Sequence, residues 1–349
     1  MRKVAIVTIQ SINYGNRLQN YALSKYLSRY CKCETLYTGE GRNSYLGKTK
    51  QKIRALRKKN KIDYFCKFDL NIPYSKYVVN SENNEELVNS YDYFITGSDQ
   101  VWNPLFNFIG DREFLTFAKP EQRVAYAASI GISQLPQEYV ESYRKRLSYF
   151  KAISVREDSG AKIIENLIGQ EVPVLLDPTM LLDKEDWISV SEKSKYQPKN
   201  KYIFKYILGN KNEKYNQWID KIAKKNQWEI FELNDVDQGD NKAVGPAEFI
   251  DLIKNSELVC TDSFHGTVFS ILFQKKFITF ERAVQEGFGK MSSRLDTLLK
   301  LFNMEKYRIT TVNDIDNFDF EYNFENVSNI LMKERKKSEM FIKKALEIE

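Results

Sequence analysis

Histidine is almost missing from this chain: among 349 residues only His265 carries an imidazole. One histidine cannot complete most mixed zinc sites, so no bound metal is expected. The four cysteines are Cys31, Cys33, Cys66 and Cys260, and Cys31-x-Cys33 is the only close pair. That is no disulfide framework, and the reading is reduced thiols in a cytoplasmic protein. No stretch approaches the roughly 18 apolar residues of a transmembrane helix. "MRKVAIVTIQ" has a basic start, but its apolar run is too short for a signal peptide and alternates like a first strand. Neither sign of charge dominates: 53 Lys+Arg face 47 Asp+Glu, a net charge of +6. This excludes a nucleic-acid-binding arm and suits an anionic ligand or membrane surface. No G-x-S-x-G elbow appears, which argues against a serine hydrolase. The turn "NYGNRLQNYAL" (13–23) lacks the spaced glycines of a dinucleotide loop, so no nucleotide follows from it.

What is present is apolar and aromatic: 42 % hydrophobic and 13 % aromatic residues in 41.0 kDa. A chain of this length typically buries about three quarters of its unfolded surface and accommodates two domains. Short β-rich runs alternate with amphipathic helical segments. "KVAIVTI" (3–9), "CETLYT", "YDYFITG", "VAYAASI", "AISVRE" and "PVLLDPT" read as strands, and "RLQNYALSKYLSRY" (17–30) and "DSGAKIIENLI" as helices. After the polar stretch "KSKYQPKN" the alternation restarts with "YIFKYIL" and runs to "MSSRLDTLLKLF". Two runs of strand–helix repetition predict two Rossmann-like lobes of parallel sheet covered by helices on both faces. The boundaries expected are 1–182 for the first lobe and 200–322 for the second. A helix over 323–349 is expected to pack back across the lobes. The segment 48–61 carries eight basic residues and only a thin apolar stripe. It reads either as a solvated helix or loop, or as a contact with an anionic membrane surface or lipid-linked phosphate.

Three stretches can carry chemistry. In "LVCTDSFHGTVFSILF" a strand ends at Thr261 and a helix starts near His265. Ser263 or Asp262 can cap the free N–H groups, and Gly266 can let a ligand approach the backbone. Helix starts of this kind are anion sites, and His265 lies on the rim. These residues alone leave a structural and a functional histidine equally open. In "ISVREDSGA", Arg156 ends a strand just before a helix, where it can grip a carboxylate or phosphate with two parallel N–H bonds. The alternative is a salt bridge to Glu157 or Asp177. In "TGSDQVWNP", Ser98, Asp99, Gln100 and Trp102 suit a carbohydrate, with hydroxyls held by polar groups and a sugar ring over the indole. The alternative is a tight turn with a buried tryptophan.

Together, "NYGNRLQNYAL", "TGSDQVWNP", "YAASIG", "SVREDSG", "LLDPTMLL", "TDSFHGTVFSILF" and "GKMSSRLDTLL" resemble the polysaccharide pyruvyl transferase family over roughly residues 4–302. The resemblance implies an α/β fold like the two-lobed GT-B glycosyltransferases, with the active site in the inter-lobe cleft. It implies transfer of the enolpyruvyl carbons of phosphoenolpyruvate onto two hydroxyls of a sugar in a cell-surface or exopolysaccharide, or in its lipid-linked precursor, giving a pyruvate ketal. By position, His265 falls on the family's "HG" histidine, Arg156 on its "VRE" arginine and Lys290 on the lysine after the next strand, with Arg294 as a further cation. Ser263 and Gly266 complete the donor set in the second lobe. Asn16, Ser98, Asp99, Gln100 and Trp102 form the acceptor set in the first. Asn16 stands where many relatives have an aspartate, which leaves it hydrogen bonding in place of acid or base work.

The chemistry agrees with the resemblance. Phosphoenolpyruvate is a small polyanion that needs converging cations, and its proton transfers suit a group titrating near neutrality. No cofactor is expected. The expected partners are the donor and a sugar or oligosaccharide, with no nucleic acid, at a cytoplasmic or peripheral inner-membrane location. Two rivals stand beside this reading: a nucleotide-sugar glycosyltransferase of the same fold, and a non-catalytic polysaccharide-assembly protein.

Overall fold

The computed structural model describes residues 1–37, 50–79, 84–209, 212–233, 242–282, 293–315 and 318–349, with backbone alone at 50–59, 84 and 312. The first half alternates β1 (Lys3–Val7), α1 (Tyr14–Leu27), β2 (Lys32–Tyr37), α2 (Lys50–Asp69), β3 (Tyr74–Val78), α3 (Asn84–Asn89) and β4 (Tyr93–Gly97). It continues with β5 (Arg123–Ala128), α4 (Gln137–Leu147), β6 (Ala152–Val155) and α5 (Asp158–Ile168). These six strands form one parallel sheet in the order β3-β2-β1-β4-β5-β6. A short helix, α6 (Lys184–Val190), leads to the second half.

There the elements are β7 (Tyr202–Tyr206), α7 (Glu213–Asn226), β8 (Glu229–Glu232), α8 (Pro246–Lys254), β9 (Leu258–Thr261), α9 (Phe264–Leu272) and β10 (Lys276–Phe280). Then come α10 (Ser293–Phe302), β11 (Arg308–Ile309) and the long α11 (Val327–Leu346). This second sheet is also parallel, in the order β11-β10-β9-β7-β8. Every residue of β4, β5, β7 and β9 is buried. A parallel sheet demands this, because helices cover both of its faces. The two-lobed α/β architecture of the GT-B type is therefore present.

Local readings needed two corrections. "PVLLDPT" is not a strand. It makes one isolated bridge, Val155 to Val174, before a 3₁₀ turn over Pro178–Met180 that Asp177 caps. Proline at 173 and 178 leaves the run too few N–H donors for a ladder. The "NYGN" stretch is not a turn either. Asn13 caps α1 by accepting from the Asn16 N–H, so the helix is under way by Gly15. The basic segment lies partly outside the described residues. Its backbone from 50 onward is the start of α2, and Lys61 is buried, with its ammonium over the Tyr14 and Phe65 rings at 5.0 and 5.9 Å. That lysine faces inward and not toward a membrane. Among the described residues no helix is long and apolar enough to cross a membrane.

One apolar core runs through both sheets, from Val4 and Ile6 of β1 to Phe204 of β7 and Leu346 of α11. Trp187 of α6 is wedged between Tyr21 of α1 and Phe269 of α9, with ring centroids 5.5 and 4.9 Å away. Tyr14 stacks on Phe249 of α8 at 4.6 Å and donates its hydroxyl to the Val244 carbonyl at 3.1 Å. Helix α11 closes the arrangement. Arg335 donates to the Met180 and Leu182 carbonyls at 2.7 and 2.6 Å, and Glu347 pairs with Lys151 and Arg2 of the first sheet at 2.5 and 3.2 Å. Because Tyr14 joins the lobes mainly by ring packing, Tyr14→Ala is expected to destabilise by about 3–5 kcal/mol. Tyr14→Phe, which loses only the hydrogen bond, should cost about 1 kcal/mol. Denaturant titration of the three proteins checks this, and equal losses for both variants would contradict it.

Candidate functional site

Open parallel sheets bind ligands beyond the carboxyl ends of their strands, where the strand order reverses. In the first sheet that point lies between β1 and β4, and in the second between β9 and β7. Residues following β4, β6 and β9 meet there. At their centre is Asp177, buried and fully engaged. Its Oδ2 accepts from Arg156 Nη1 at 2.5 Å and Ser98 Oγ at 2.7 Å. Its Oδ1 accepts from the Thr179 N–H at 2.9 Å and hydroxyl at 2.6 Å. His265 Nε2 lies 3.6 Å from the same Oδ2, close enough for strong attraction but too long for a hydrogen bond.

The second lobe supplies the other wall. Ser263 caps α9 by accepting from the Gly266 N–H, so Phe264 and His265 open the first turn. The two aromatic rings meet edge-on at 5.2 Å. Above the Phe264 ring lie two guanidiniums, Arg156 at 4.3 Å and Arg294, from the start of α10, at 5.9 Å. Asp158 at the head of α5 donates its N–H to Thr297 of α10 at 3.1 Å, so the lobes touch beside this pair. His265 is 6 % exposed, Arg156 3 % and Arg294 8 %. All three are shielded from bulk water.

Electrostatics divides the two arginines. Burial works against the charge of Arg156, but Asp177, Asp99 and Glu157 outweigh it and raise its pKa. Arg294 is lowered to about 10, first by burial and then by repulsion from Arg156. It has no ion pair among the described residues, and its Nε is buried without a partner. Arg156 also keeps Nε and Nη2 unbonded, the latter 3.7 Å from Asp99. Burial pushes the Asp177 carboxyl up, yet His265 and then Arg156 and Thr179 prevail and hold it far below the usual range. Of the two buried cations, Arg156 is paired with Asp177 and lies near Asp99, whereas Arg294 has no ion pair among the described residues, and unbonded N–H groups remain on both.

The expected donor set therefore splits. His265, Arg156 and Arg294 converge. Ser263 borders them, but its hydroxyl is committed to the helix cap. Gly266 does not open the backbone to a ligand: a Cβ there would meet Thr261 Oγ1 at 2.7 Å, so its smallness serves the packing of α9 on β9. Lys290 lies outside the described residues. For Arg156, the alternative of a salt bridge to Asp177 is what one of its nitrogens makes, while the other two stay free of hydrogen bonds.

The acceptor set needs more correction. Trp102 is fully buried, stacked on Phe114 at 5.4 Å with Phe150 edge-on, and donates to the Glu113 carbonyl at 3.2 Å. It offers no face to a sugar. Ser98 is also fully buried and is spent on Asp177 and Arg156. Gln100 accepts from Asn103 at 2.7 Å and so braces its own loop. Asn16 and Asp99 do reach the cleft, where Asn16 donates to Asp99 and accepts from Ser11. Asp99 sits at φ 64°, a left-handed conformation that aspartate tolerates better than most side chains.

Sequence reasoning missed Asp177 as a site residue, although it named the aspartate as the possible partner of Arg156 and quoted "DPT". It also missed Glu157, whose Oε1 accepts from Ser129 Oγ and the Ile130 and Gly131 N–H groups at 2.8–3.0 Å and holds the loop after β5. Among the described residues no group of three or more His, Cys, Asp or Glu side chains could hold a metal ion.

Similar proteins place this geometry in context. No protein of curated function matches the chain in sequence. By fold, it resembles the UDP-N-acetylglucosamine 2-epimerase of Rickettsia bellii, with a TM-score of 0.51 and 11 % identity over 99 % of this chain and 97 % of that one. The UDP-GlcNAc 2-epimerase of Methanocaldococcus jannaschii gives a TM-score of 0.51 and 9 % identity over 95 % of this chain and 99 % of that one. At such identities the likeness is one of fold alone. The sequence family described as polysaccharide pyruvyl transferase matches residues 13–283, which include Asn16, Asp99, Arg156, Asp177 and His265. The chain belongs to the polysaccharide pyruvyl transferase family.

Proposed function

We propose that this protein transfers the enolpyruvyl group of phosphoenolpyruvate to two hydroxyls of one sugar in a cell-surface polysaccharide or its precursor. The observation that carries the reading is the pair of buried arginines over Phe264, one with no ion pair among the described residues, beside the only histidine. A donor bearing both a carboxylate and a phosphate matches two guanidiniums better than a neutral sugar would. It would also supply a counter-charge that Arg294 does not find among the described residues.

The reaction adds a proton to C3 of the donor while the first sugar oxygen bonds to C2 and gives up its proton. The C2–O bond to phosphate then breaks, and the arginines bind the departing phosphate. The second hydroxyl bonds to C2 and loses its proton, which the phosphate carries away. Donor plus diol thus give ketal plus hydrogen phosphate. His265, whose Nε2 has no hydrogen-bond partner, moves the proton. Asp177 faces that nitrogen across 3.6 Å. Asn16 and Asp99 are the groups placed to hold the acceptor hydroxyls.

The direct test is incubation with phosphoenolpyruvate and a panel of glycosides, followed by inorganic phosphate release. Release of a nucleotide from a nucleotide-sugar instead would point to glycosyl transfer. His265→Gln is expected to lower kcat by about 10²–10⁴-fold with the fold intact. A variant within about threefold of the parent would remove the histidine from the proton path.

Donor binding has its own readout. Phosphoenolpyruvate at 100 times its Kd should add roughly 2.7 kcal/mol of stability and raise Tm. Arg294→Met should erase that rise while leaving the Arg156–Asp177 pair in place. A full shift retained in Arg294→Met would place the anion elsewhere.

Asp177 also links stability to pH. Its folded-state pKa is depressed, so its contribution is fully present above the unfolded value of about 3.9 and fades as pH falls toward the folded one. Asp177→Asn removes the shorter of the two ion pairs of Arg156, leaving only Asp99 at 3.7 Å, and should destabilise by about 3–5 kcal/mol at pH 7. Unfolding of both proteins at pH 7 and near pH 3 should show that difference shrinking with acid. A gap that is the same at both pH values would mean the carboxylate charge is not what Arg156 needs.

A further inference from the structure

Gly15 occupies the first turn of α1, where glycine has no obvious reason to be. Its φ is not in the left-handed region, and alanine is the better helix former. What excludes a side chain is His265. A Cβ at Gly15 would lie 2.5 Å from Cε1 and 2.8 Å from Cγ of the imidazole, and nearer still to Nδ1. The ring has little room to retreat, because His265 is buried in the first turn of α9 with Phe264 edge-on at 5.2 Å. Nor can Gly15 easily shift. Asn13 caps its helix, and its neighbour Asn16 is tied to Asp99. The contact crosses between lobes: Gly15 follows β1 of the first sheet, and His265 follows β9 of the second.

We propose that Gly15 is a positioning residue, a bare stretch of backbone on which the His265 imidazole rests when the lobes meet. Gly15 backs the Nδ1 edge of the ring, while Nε2 faces Asp177 at 3.6 Å. Both supports come from the first lobe, so the histidine attains its working orientation only in the assembled cleft. The orientation of the histidine thus depends on groups of the acceptor-side lobe. The role in catalysis rests on the function proposed above, but the contact itself can be tested without any activity.

The test is a thermal-unfolding cycle of four proteins: the parent, Gly15→Ala, His265→Ala and the double variant. Gly15→Ala should lower Tm in the parent by about 2 °C or more. In the His265→Ala background the vacated space admits the methyl, so the same change should leave Tm unchanged or raise it. If Gly15→Ala alone fails to fold, recovery in the double variant supports the proposal, and failure of both overturns it. Equal shifts in the two backgrounds would also overturn it. A second measurement uses the sole histidine, because diethyl pyrocarbonate modification then reports one site. Gly15→Ala should speed that modification several-fold and lower kcat for phosphate release by about 10²-fold with the donor-induced Tm shift retained. Unchanged modification and unchanged kcat would reduce Gly15 to a packing residue.

Discussion

A carboxylate with almost no exposure to water organises this cleft. Asp177 draws Arg156, Ser98 and Thr179 into direct bonds and His265 into its field. Desolvating a charge is costly unless it is paired and hydrogen-bonded, and here every lone pair in reach is used. The same arrangement keeps Arg156 from saturating its own fork. One nitrogen meets Asp177, and the geometry leaves Nε and Nη2 without bonds. A site that satisfied all its cations internally would have nothing left for an anionic ligand. This one stops short of that, and Arg294 marks the shortfall.

The lobes that carry these groups are not loosely hinged bodies. They share a continuous apolar core, and Tyr14, Trp187 and the Asp158–Thr297 hydrogen bond sit on the seam. Linked domains ordinarily move relative to each other unless the interface is large and apolar. The interface here is apolar near α1, α6 and α8 and polar near His265 and Arg294. Motion that admits substrate would be easiest on the polar side, with the aromatic side as the pivot.

Much of the fold was legible because buried parallel strands are short apolar runs and their covering helices are amphipathic, two periods that the sequence displays plainly. Asp158–Ile168 was readable to the residue, since Asp158 opens the helix and Gly169 ends it in the left-handed region. The edge strands β3 and β11 were not, because Tyr74–Val78 mixes exposed and half-buried positions and Arg308–Ile309 is only two residues long. Of the residues that converge in the cleft, His265, Arg156 and Arg294 were named through chemistry and motif. Trp102 and Ser98 were misjudged for one reason: composition cannot tell an aromatic that faces a ligand from one sealed under Phe114. Asp177 escaped selection because its burial, which makes it central, comes from elements far away in sequence.

The path of α11 bears on how the chain is made. Arg2 and Glu347, 345 positions apart, are hydrogen-bonded, as are Tyr30 and Glu339, 309 apart. During synthesis, domains usually fold in order of emergence from the ribosome. The first sheet here can form early, but the surface that Met180, Leu182 and Lys151 present must wait for the last helix. In a chain made from its N-terminus, the first sheet therefore stays without its α11 contacts until the last helix has been synthesised.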